Sequence, residues 1–336
     1  MKTMVFDVPA EHGGALTILK QYYEEAVFDI EKEWIFVIST PDLKETKNVK
    51  ILKYPWVKKS WFHRLYFDKF IAKKIVDKYK VDEVLSLQNV IVKKLSVPQT
   101  LYLHQSLPFV EKRYKIAENF KFWVYQNIIG RMILKSIKEA DKVIVQTEWL
   151  REECLKKVKT APSKFELIHP DVNIKVKKYY KQENENLKLF FYPASGAEYK
   201  NHKIIVEVTK ELIASGITNF KVIFTLNGNE SNHIKNLYKS VKEENLPINF
   251  IGQISIEEVY DYYSKSILIF PSYIETFGLP MLEAKMHNSP VFASDCLFSH
   301  EILDGYVNAY FFDSFNSEKL VELMISIIEN KLNIQQ

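Results

Sequence analysis

Residues 270–290, FPSYIETFGLPMLEAKMHNSP, decide the fold class, because a buried strand, a turn and the start of a helix follow one another within them. The apolar run that ends at Phe270 predicts the strand. Pro280 fits the first turn of a helix, where the missing N–H group of proline costs nothing. Glu275 lies in the turn, and Glu283 lies one turn into the helix. We therefore predict a strand–turn–helix unit with a carboxylate on each side of the helix start.

The predicted helix start is also a predicted anion site. The N–H groups of Phe277, Gly278 and Leu279 would lie at the positive end of the helix dipole, which attracts phosphate groups. Glu275 and Glu283, eight positions apart, would flank that site. A nucleotide sugar matches this arrangement, because it has phosphates in its middle and hydroxyl groups at both ends. Solvated glutamates at an ordinary strand–helix corner are the alternative interpretation.

The same alternation of strands and helices continues through the chain. Short apolar runs rich in β-branched and aromatic residues are separated by helical patterns, which indicates α/β domains whose parallel sheets are covered by helices on both faces. The main runs predicted as strands are 34–38, 101–103, 143–145, 189–192, 222–226, 248–251 and 267–270.

A polar segment interrupts this pattern. At 336 residues the chain is long enough for two domains. The stretch 169–187, HPDVNIKVKKYYKQENENL, is charged and has no clear period. We predict an N-terminal Rossmann-like domain over 1–172, a linker over 173–187 and a C-terminal Rossmann-like domain over 188–336. Ligands of doubly wound domains bind beyond the carboxyl ends of the strands.

The 270–290 segment, continued by Val-Phe-Ala-Ser, resembles the E-x7-E segment of the retaining glycosyltransferases of family 4, or glycosyltransferase group 1. The resemblance is strongest over about 190–312. It implies the GT-B fold, in which two doubly wound domains face each other across a cleft. It also implies retaining, hexosyltransferase-type transfer from a nucleotide sugar to a glycan or lipid-linked acceptor, without a cofactor or a divalent metal. UDP or GDP is the expected nucleotide, and cell-surface polysaccharide or lipopolysaccharide biosynthesis is the expected context.

The resemblance also implies roles for individual residues. Glu275 would hold sugar hydroxyl groups near the reacting carbon, and Glu283 would accept hydrogen bonds from the ribose. Lys200, in YPASGAEYKNHK, resembles the family lysine that neutralises the donor diphosphate. Without the resemblance, an exposed lysine near a helix start would be the better interpretation. The family usually has an arginine a few residues earlier, after a glycine, where residues 194–196 of this chain are Ala-Ser-Gly. Lys200 is therefore the main expected counter-charge.

Other positions resemble parts of the family's donor site. Gly13 and Gly14 follow the first predicted strand, where the family has a loop against the donor phosphates and sugar. His104 follows the strand 101–103, where the family has a histidine that contacts the transferred sugar. Gln253 and Ile254 match the loop whose backbone reads the edge of the base. Without the resemblance, a Gly-Gly pair would indicate only a tight turn, and a lone histidine a structural residue.

Composition excludes several classes of protein. Cys154 and Cys296 are the only cysteines, so neither a disulfide framework nor a cysteine-rich metal site is expected. No HxxxH or DxD triplet is present, so no metal site is predicted. The first residues lack the apolar run of a signal peptide, and no stretch approaches the roughly 18–20 apolar residues of a membrane span. We expect a cytoplasmic protein.

Basic and aromatic residues concentrate in one part of the N-terminal half. Residues 44–80 hold 12 basic and 3 acidic side chains. Within them, 54–74 mixes Trp and Phe with Lys and Arg, as do surfaces that lie on anionic lipid headgroups. The spacing of Trp61, Leu65, Phe67/Asp68, Ile71 and Ile75 predicts one apolar helix face with lysines beside it. We hypothesise peripheral docking on the inner face of the cell membrane through 54–74; an ordinary helix with solvated lysines is the alternative. No recognised nucleic-acid-binding module is present, so no nucleic-acid partner is expected.

Two alternative functions stay open, because a fold does not fix a reaction. One is a sugar-nucleotide epimerase or hydrolase on the same architecture. The other is a non-catalytic GT-B scaffold or binding subunit of a glycan-assembly complex, with which the missing arginine is compatible.

Overall fold

The structure of the protein, a computed structural model, describes residues 1–11, 13–170, 174–182, 187–332 and 334. The chain divides into two compact units, Met1–Asp171 and Val172–Gln336, called the N-terminal and C-terminal units below. The predicted linker over 173–187 includes residues 173 and 183–186, which lie outside the described residues. The predicted domain boundaries therefore stay predictions.

One parallel sheet forms the centre of the N-terminal unit. Its strands are Lys2–Asp7 (β1), Glu33–Ile38 (β2), Val49–Lys53 (β3), Glu83–Ser86 (β4), Gln99–Leu103 (β5), Lys142–Val145 (β6) and Phe165–Leu167 (β7). They lie in the order β3-β2-β1-β4-β5-β6-β7, and every pairing among the described residues is parallel. The strand order reverses between β1 and β4, as it does in Rossmann folds.

Helices connect most of these strands, because a parallel neighbour is reached only through a crossover. The α-helices are Gly13–Phe28 (α1), Trp61–Tyr66 (α2), Ala72–Tyr79 (α3), Phe120–Val124 (α4), Gly130–Glu139 (α5) and Glu148–Lys157 (α6). Two π-helical turns, Phe67–Ile71 and Tyr125–Ile129, join α2 to α3 and α4 to α5. Short 3-10 turns are Pro55–Lys59 and Pro162–Lys164.

Buried side chains cover both faces of this sheet. Met4 and Phe6 of β1 pack in one cluster with Ile75 of α3, whereas Val5 packs in another with Leu19 of α1. Successive side chains of a strand point to opposite faces, so β1 is buried on both. That burial is typical of a central strand in a parallel sheet.

The structure does not have the single apolar helix face predicted over residues 61–75, because the π-helical turn Phe67–Ile71 interrupts the regular spacing. Phe67 and Ile75 are buried, but Trp61 and Leu65 are exposed. A π-helical turn holds more residues than an α-helical turn, so it rotates the residues before it relative to those after it. The prediction of one apolar face is therefore wrong: the second half packs on the core, and α2 presents aromatic side chains to solvent.

A second parallel sheet forms the centre of the C-terminal unit. Its strands are Lys188–Tyr192 (β8), Phe220–Phe224 (β9), Ile248–Phe250 (β10), Ile267–Phe270 (β11), Val291–Ser294 (β12) and Ala309–Phe312 (β13). Their order is β10-β9-β8-β11-β12-β13, with parallel pairing throughout the described residues. This order repeats that of β1 to β6, so the reversal falls between β8 and β11.

Helices again follow the strands. They are His202–Ala214 (α7), Asn232–Glu243 (α8), Ile256–Tyr263 (α9), Leu279–Met286 (α10), Leu297–Ile302 (α11) and Glu318–Ile328 (α12), with a 3-10 turn at Glu198–Lys200. The prediction of two doubly wound units with parallel sheets is confirmed. Within the described ranges, no helix has the length and apolarity needed to cross a bilayer.

The topology of the C-terminal unit determines where its loops meet. Strands β8 and β11 are hydrogen-bonded neighbours. Loop 193–200 leaves the carboxyl end of β8, and loop 271–278 leaves the carboxyl end of β11. In doubly wound sheets, the crevice beside two such strands is where ligands bind.

Candidate active site

The loop after β8 holds Lys200 in a fixed backbone position. Lys200 ends the 3-10 turn Glu198–Lys200, and its carbonyl oxygen accepts a hydrogen bond of 2.8 Å from the Tyr192 hydroxyl. Asn201 follows in the left-handed conformation, with φ of 57°, and its side-chain amide donates to the Ser314 carbonyl oxygen at 2.7 Å. Helix α7 starts at the next residue. Lys200 therefore lies at the entrance of a helix, as predicted.

An ion pair joins the loops after β8 and β11. The ammonium of Lys200 donates to Oε1 of Glu275, and each side chain is only 15% exposed. The Ser272 hydroxyl donates to the same carboxylate oxygen at 2.7 Å. The structure thus brings together two of the residues that the sequence singled out, and it adds Ser272, which the sequence analysis did not select.

Lys200 is a charged group in a largely apolar setting. Burial alone would lower the pKa of Lys200, but the charge of Glu275 and the hydrogen bond to it hold that pKa above its ordinary value. The Lys200 Nζ atom also lies 5.5 Å from the ring centre of Tyr199 and 5.8 Å from that of Phe270. Lys200 is therefore a permanent cation near neutral pH, which is what an anionic ligand would require.

Helix α10 begins beside this pair, as the sequence predicted. Gly278 occupies the N-cap position with φ of +96°, a left-handed conformation that favours glycine, and Pro280 lies in the first turn. Phe277 is buried. Among the described residues, the N–H groups of Gly278 and Leu279 have no acceptor. Two backbone donors at the positive end of a helix dipole are thus available to an anion.

Glu283 lies one turn along α10, in a different environment from Glu275. The Tyr263 hydroxyl donates to Oε2 of Glu283 at 3.0 Å. Within the part of the chain that the structure describes, Oε1 has no hydrogen-bond partner. Burial raises the pKa of Glu283, and the hydrogen bond from Tyr263 opposes that rise. The two glutamates therefore differ: one is ion-paired, and the other keeps an oxygen open to a ligand.

The predicted base-reading loop follows β10 and lies against the loop after β9. The Gly252 N–H donates to the Leu226 carbonyl oxygen at 2.9 Å. Gly252 has φ of +77°, and a Cβ atom there would lie 2.7 Å from Oδ1 of Asn227, so the backbone approach requires glycine. Gln253 is exposed and Ile254 is partly exposed. Their backbone is thus presented at the carboxyl edge of the sheet.

His202 is a buried residue that the sequence analysis missed. Both ring nitrogens lack hydrogen-bond partners among the described residues. Its ring centre lies 4.8 Å from that of Tyr192 and 4.9 Å from that of Phe224. Burial, and then the charge of Lys200, lowers the pKa of His202 to about 3. The imidazole is therefore a neutral packing group behind Lys200, and no sequence signal distinguishes it from an exposed histidine at a helix start.

In the N-terminal unit, His104 directly follows β5. Its backbone N–H donates to Oδ1 of Asn89 at 2.7 Å, and its ring packs on Tyr102 with centres 5.8 Å apart. The Nδ1 atom is buried without a partner among the described residues. Burial lowers the pKa of His104 to about 4, so the imidazole is neutral at pH 7. A neutral imidazole can donate to or accept from a hydroxyl group.

The carboxyl end of β1 carries Asp7, which the sequence analysis also missed. Asp7 is 0% exposed, and neither carboxyl oxygen has a hydrogen-bond partner among the described residues. Burial raises the pKa of Asp7 to about 8, against the charges of Arg64 and Lys58. Gly13 and Gly14 begin α1 nearby in sequence. Gly13 has φ of +64°, and a Cβ atom at either glycine would have no atom within 4 Å.

Comparisons with known proteins agree with this geometry. Residues 174–336 match the family described as glycosyl transferases group 1. The chain is 25% identical over 217 residues to the O-antigen chain mannosyltransferase RfbU of Salmonella typhimurium strain LT2, a match that covers 61% of this chain and 59% of that protein. The chain thus spans about three fifths of the length of that curated relative.

Solved structures show the fold of the whole chain. Sucrose-phosphate synthase from Thermosynechococcus elongatus superposes with a TM-score of 0.70 and 17% identity, covering 98% of this chain and 90% of that one. The Anabaena protein HepE, solved in complex with UDP-glucose, superposes with a TM-score of 0.68 and 14% identity over 98% of this chain and 90% of its own. The predicted GT-B fold class is confirmed, and the match to the group 1 family falls within the C-terminal unit.

Removal of Lys200 should destabilise the C-terminal unit. Lys200→Met leaves the carboxylate of Glu275 buried without its cation, and breaking a buried pair in this way costs about 3 kcal/mol. We expect the Tm of that unit to fall by about 6–12 °C in differential scanning calorimetry.

The matched control is Lys203→Met in α7. Its ion pair with Glu207 is exposed, so we expect a loss below about 1 kcal/mol. Addition of Glu275→Gln to Lys200→Met should restore part of the lost stability. Equal Tm values for the two single variants would contradict the role of the buried pair.

Proposed function

We propose that the protein is a retaining glycosyltransferase of family 4 that moves a sugar from a nucleotide sugar to a glycan or lipid-linked acceptor. The proposal starts from the group 1 match of residues 174–336. The observation that carries it is the meeting of the Lys200–Glu275 pair with the start of α10 at the strand-order reversal. A cation, backbone N–H donors and two carboxylates within one loop pair fit a diphosphate flanked by two sugars.

In this proposal, Lys200 and the N–H groups of Gly278 and Leu279 bind the donor diphosphate. Charge on the diphosphate grows as the bond to the sugar breaks, so preorganised donors stabilise the transition state more than the ground state. The bound diphosphate competes with Glu275 for Lys200. Glu275 then accepts hydrogen bonds from the hydroxyl groups of the transferred sugar, and Ser272 keeps its carboxylate near the reacting carbon.

The remaining donor contacts are assigned to the nucleoside and to the sugar. Glu283 accepts hydrogen bonds from the ribose through its open oxygen. The backbone of Gln253 and Ile254 reads the base edge, and UDP or GDP is the proposed nucleotide. HepE, which shares the fold, was solved with UDP-glucose, and this supports the UDP form. Neutral His104 contacts the transferred sugar.

Residues 194–196 limit the number of cations around the diphosphate. A Cβ atom at Gly196 would lie 2.8 Å from Cγ1 of Ile234, so this loop packs closely against α8. No arginine occurs in the loop, and Lys200 is its cation. Loss of Lys200 should therefore lower activity more than it would in a loop where an arginine also bound the diphosphate.

The proposed context is the synthesis of cell-surface polysaccharide or lipopolysaccharide. The similarity to an O-antigen chain mannosyltransferase supports it. An acceptor of this kind can be carried on a lipid, which gives a reason for membrane docking by the N-terminal unit. We propose that docking occurs in the cytoplasm through residues 54–74, on the inner face of the membrane.

The aromatic surface of α2 supports this docking. Trp61, Phe62, Leu65 and Tyr66 are exposed, as is Phe70 in the π-helical turn. Lys69 lies 5.0 Å from the ring centre of Phe70, so positive charge borders the aromatic rings. Aromatic rings beside lysines fit the interface of an anionic bilayer, where apolar side chains insert and ammonium groups meet headgroups.

A nucleotide panel tests the donor site. UDP, GDP, ADP and CMP, with their common sugar conjugates, are added to the wild type and to Glu283→Ala in a thermal-shift assay. A ligand at 100 times its Kd stabilises the folded state by about 2.7 kcal/mol, which corresponds to roughly 5–10 °C. We expect one nucleotide to shift the wild type and to shift the variant less. No shift with any nucleotide would favour a scaffold subunit.

Transfer assays with the donor so identified test the reaction. We expect the anomeric configuration of the donor sugar to be kept in the product and the rate to be unchanged by EDTA. Lys200→Ala and Glu275→Ala should each lower kcat by about 100-fold or more, because each removes stabilisation of the transition state. Product analysis by NMR that shows inversion, or activity restored only by a divalent cation, would contradict the mechanism.

Liposome co-sedimentation tests docking. Phe62→Ser should weaken binding to anionic vesicles at low salt by about tenfold or more, since one buried aromatic ring contributes about 1.5–3 kcal/mol. Phe28→Ser is the matched control, because Phe28 is 83% exposed and Phe62 is 82% exposed in the same unit. Equal binding of the two variants, or no binding of the wild type, would reject the surface.

A further inference from the structure

Tyr263, the last residue of α9, has a buried ring and a hydroxyl with one specific partner. The side chain is 0% exposed. Its ring centre lies 5.7 Å from that of Phe191 in β8 and 5.7 Å from that of His287. These contacts fix the ring, so the position of its hydroxyl is determined by the core. That hydroxyl donates to Oε2 of Glu283 at 3.0 Å.

The backbone of Glu283 is held from the same side. Nδ1 of His287 lies 2.7 Å from the Glu283 carbonyl oxygen, at the carboxyl end of α10. A glutamate side chain has several rotatable bonds and would otherwise sample many orientations. Tyr263 selects the one in which Oε2 is bound to protein and Oε1 is left open.

We propose that Tyr263 is a positioning residue that aims the open oxygen of Glu283 at a ribose hydroxyl of the nucleotide. The inference rests on the proposed function and deepens it, because it assigns the recognition of a ribonucleotide to a pair of residues on α9 and α10. Each carboxylate oxygen has two acceptor positions. With one position of Oε2 filled by Tyr263, the carboxylate presents a fixed set of acceptors to the vicinal hydroxyl groups of a ribose.

The hydrogen bond also controls the charge of the acceptor. Burial, and then the neighbouring charge of Glu283, holds the pKa of Tyr263 well above its ordinary value, so the phenol remains a donor at physiological pH. Burial raises the pKa of Glu283, and donation by Tyr263 opposes that effect. Without Tyr263 the carboxyl group would take up a proton at higher pH and would lose its strength as an acceptor.

The test is a cycle between protein and ligand. Isothermal titration calorimetry measures the Kd values of UDP and GDP and of their 2′-deoxy and 3′-deoxy forms for the wild type and for Tyr263→Phe. Tyr263→Phe keeps the ring and removes only the donor. We expect removal of one hydroxyl group to weaken wild-type binding about tenfold, in line with a charge-assisted hydrogen bond. For Tyr263→Phe the ribonucleotide should bind about fivefold or more weakly, and the deoxy form should bind almost as in the wild type.

Tyr262→Phe is the matched control. Tyr262 is the preceding residue, stacks on Phe191 with ring centres 4.5 Å apart and makes no hydrogen bond to Glu283 among the described residues. The Tyr262→Phe variant should bind every nucleotide with the Kd of the wild type. An equal loss of ribonucleotide and deoxynucleotide binding in Tyr263→Phe would indicate a purely structural role and would overturn the inference. Equal binding of ribonucleotides and deoxynucleotides by the wild type would also overturn the inference. That measurement does not depend on whether Tyr263→Phe folds.

A pH series supplies an independent readout. Nucleotide binding requires ionised Glu283, so it is present above the pKa of that group and is lost as the pH falls through it. Tyr263→Phe should move this loss of binding to higher pH, whereas Glu283→Gln should remove the pH dependence of binding. An unshifted profile in Tyr263→Phe would contradict positioning through the hydrogen bond. If the wild type binds no nucleotide at all, the proposed function fails; if it binds and only the cycle fails, Tyr263 alone is excluded.

Discussion

Parallel pairing of β11 with β8 is the constraint on which the C-terminal site depends. Ile267 lies beside Phe190 in this pairing, and both strands leave the sheet at the same edge. The strand order reverses there, so the connections run to opposite sides and leave a crevice between the two loops. Lys200 and Glu275 are 75 positions apart in the chain and meet only because these two strands are neighbours. The backbone donors at the start of α10 follow from the same loop.

The buried Lys200–Glu275 ion pair is suited to an exchange of partners. Taking two charges out of water costs about as much as their attraction returns, so a buried pair contributes little net stability. In the proposed reaction, an incoming diphosphate would therefore replace Glu275 as the partner of Lys200 at small cost, provided that new hydrogen bonds satisfy the carboxylate. Ser272 already supplies one of them, and sugar hydroxyl groups would supply others in the proposed reaction.

The side chains compared at the carboxyl edges of the two sheets, Asp7 and His104 on one and Lys200 on the other, differ in charge. At the edge of the N-terminal sheet, burial raises the pKa of Asp7 to about 8 and lowers the pKa of His104 to about 4, so both groups are largely neutral at pH 7. At the edge of the C-terminal sheet, Lys200 is charged and paired. Neutral hydrogen-bonding groups suit a hydroxyl-bearing sugar, and a fixed cation suits phosphate. This difference fits the division of labour that the proposed function assigns to the two units.

The sequence by itself determined the class of fold and the place where the site is built. Short apolar runs alternating with helices leave few architectures other than doubly wound parallel sheets, and proline and glycine mark the start of α10 because their backbone preferences are local. Only the tertiary structure decided which side chains meet. The partner of Lys200, the hydrogen bond from Tyr263 to Glu283 and the burial of Asp7 and His202 all depend on strand order, which no local pattern encodes. The single apolar face predicted from helical spacing was wrong for a related reason. Packing against the core outweighs the regular spacing of an isolated helix, and the π-helical turn at Phe67–Ile71 breaks that spacing.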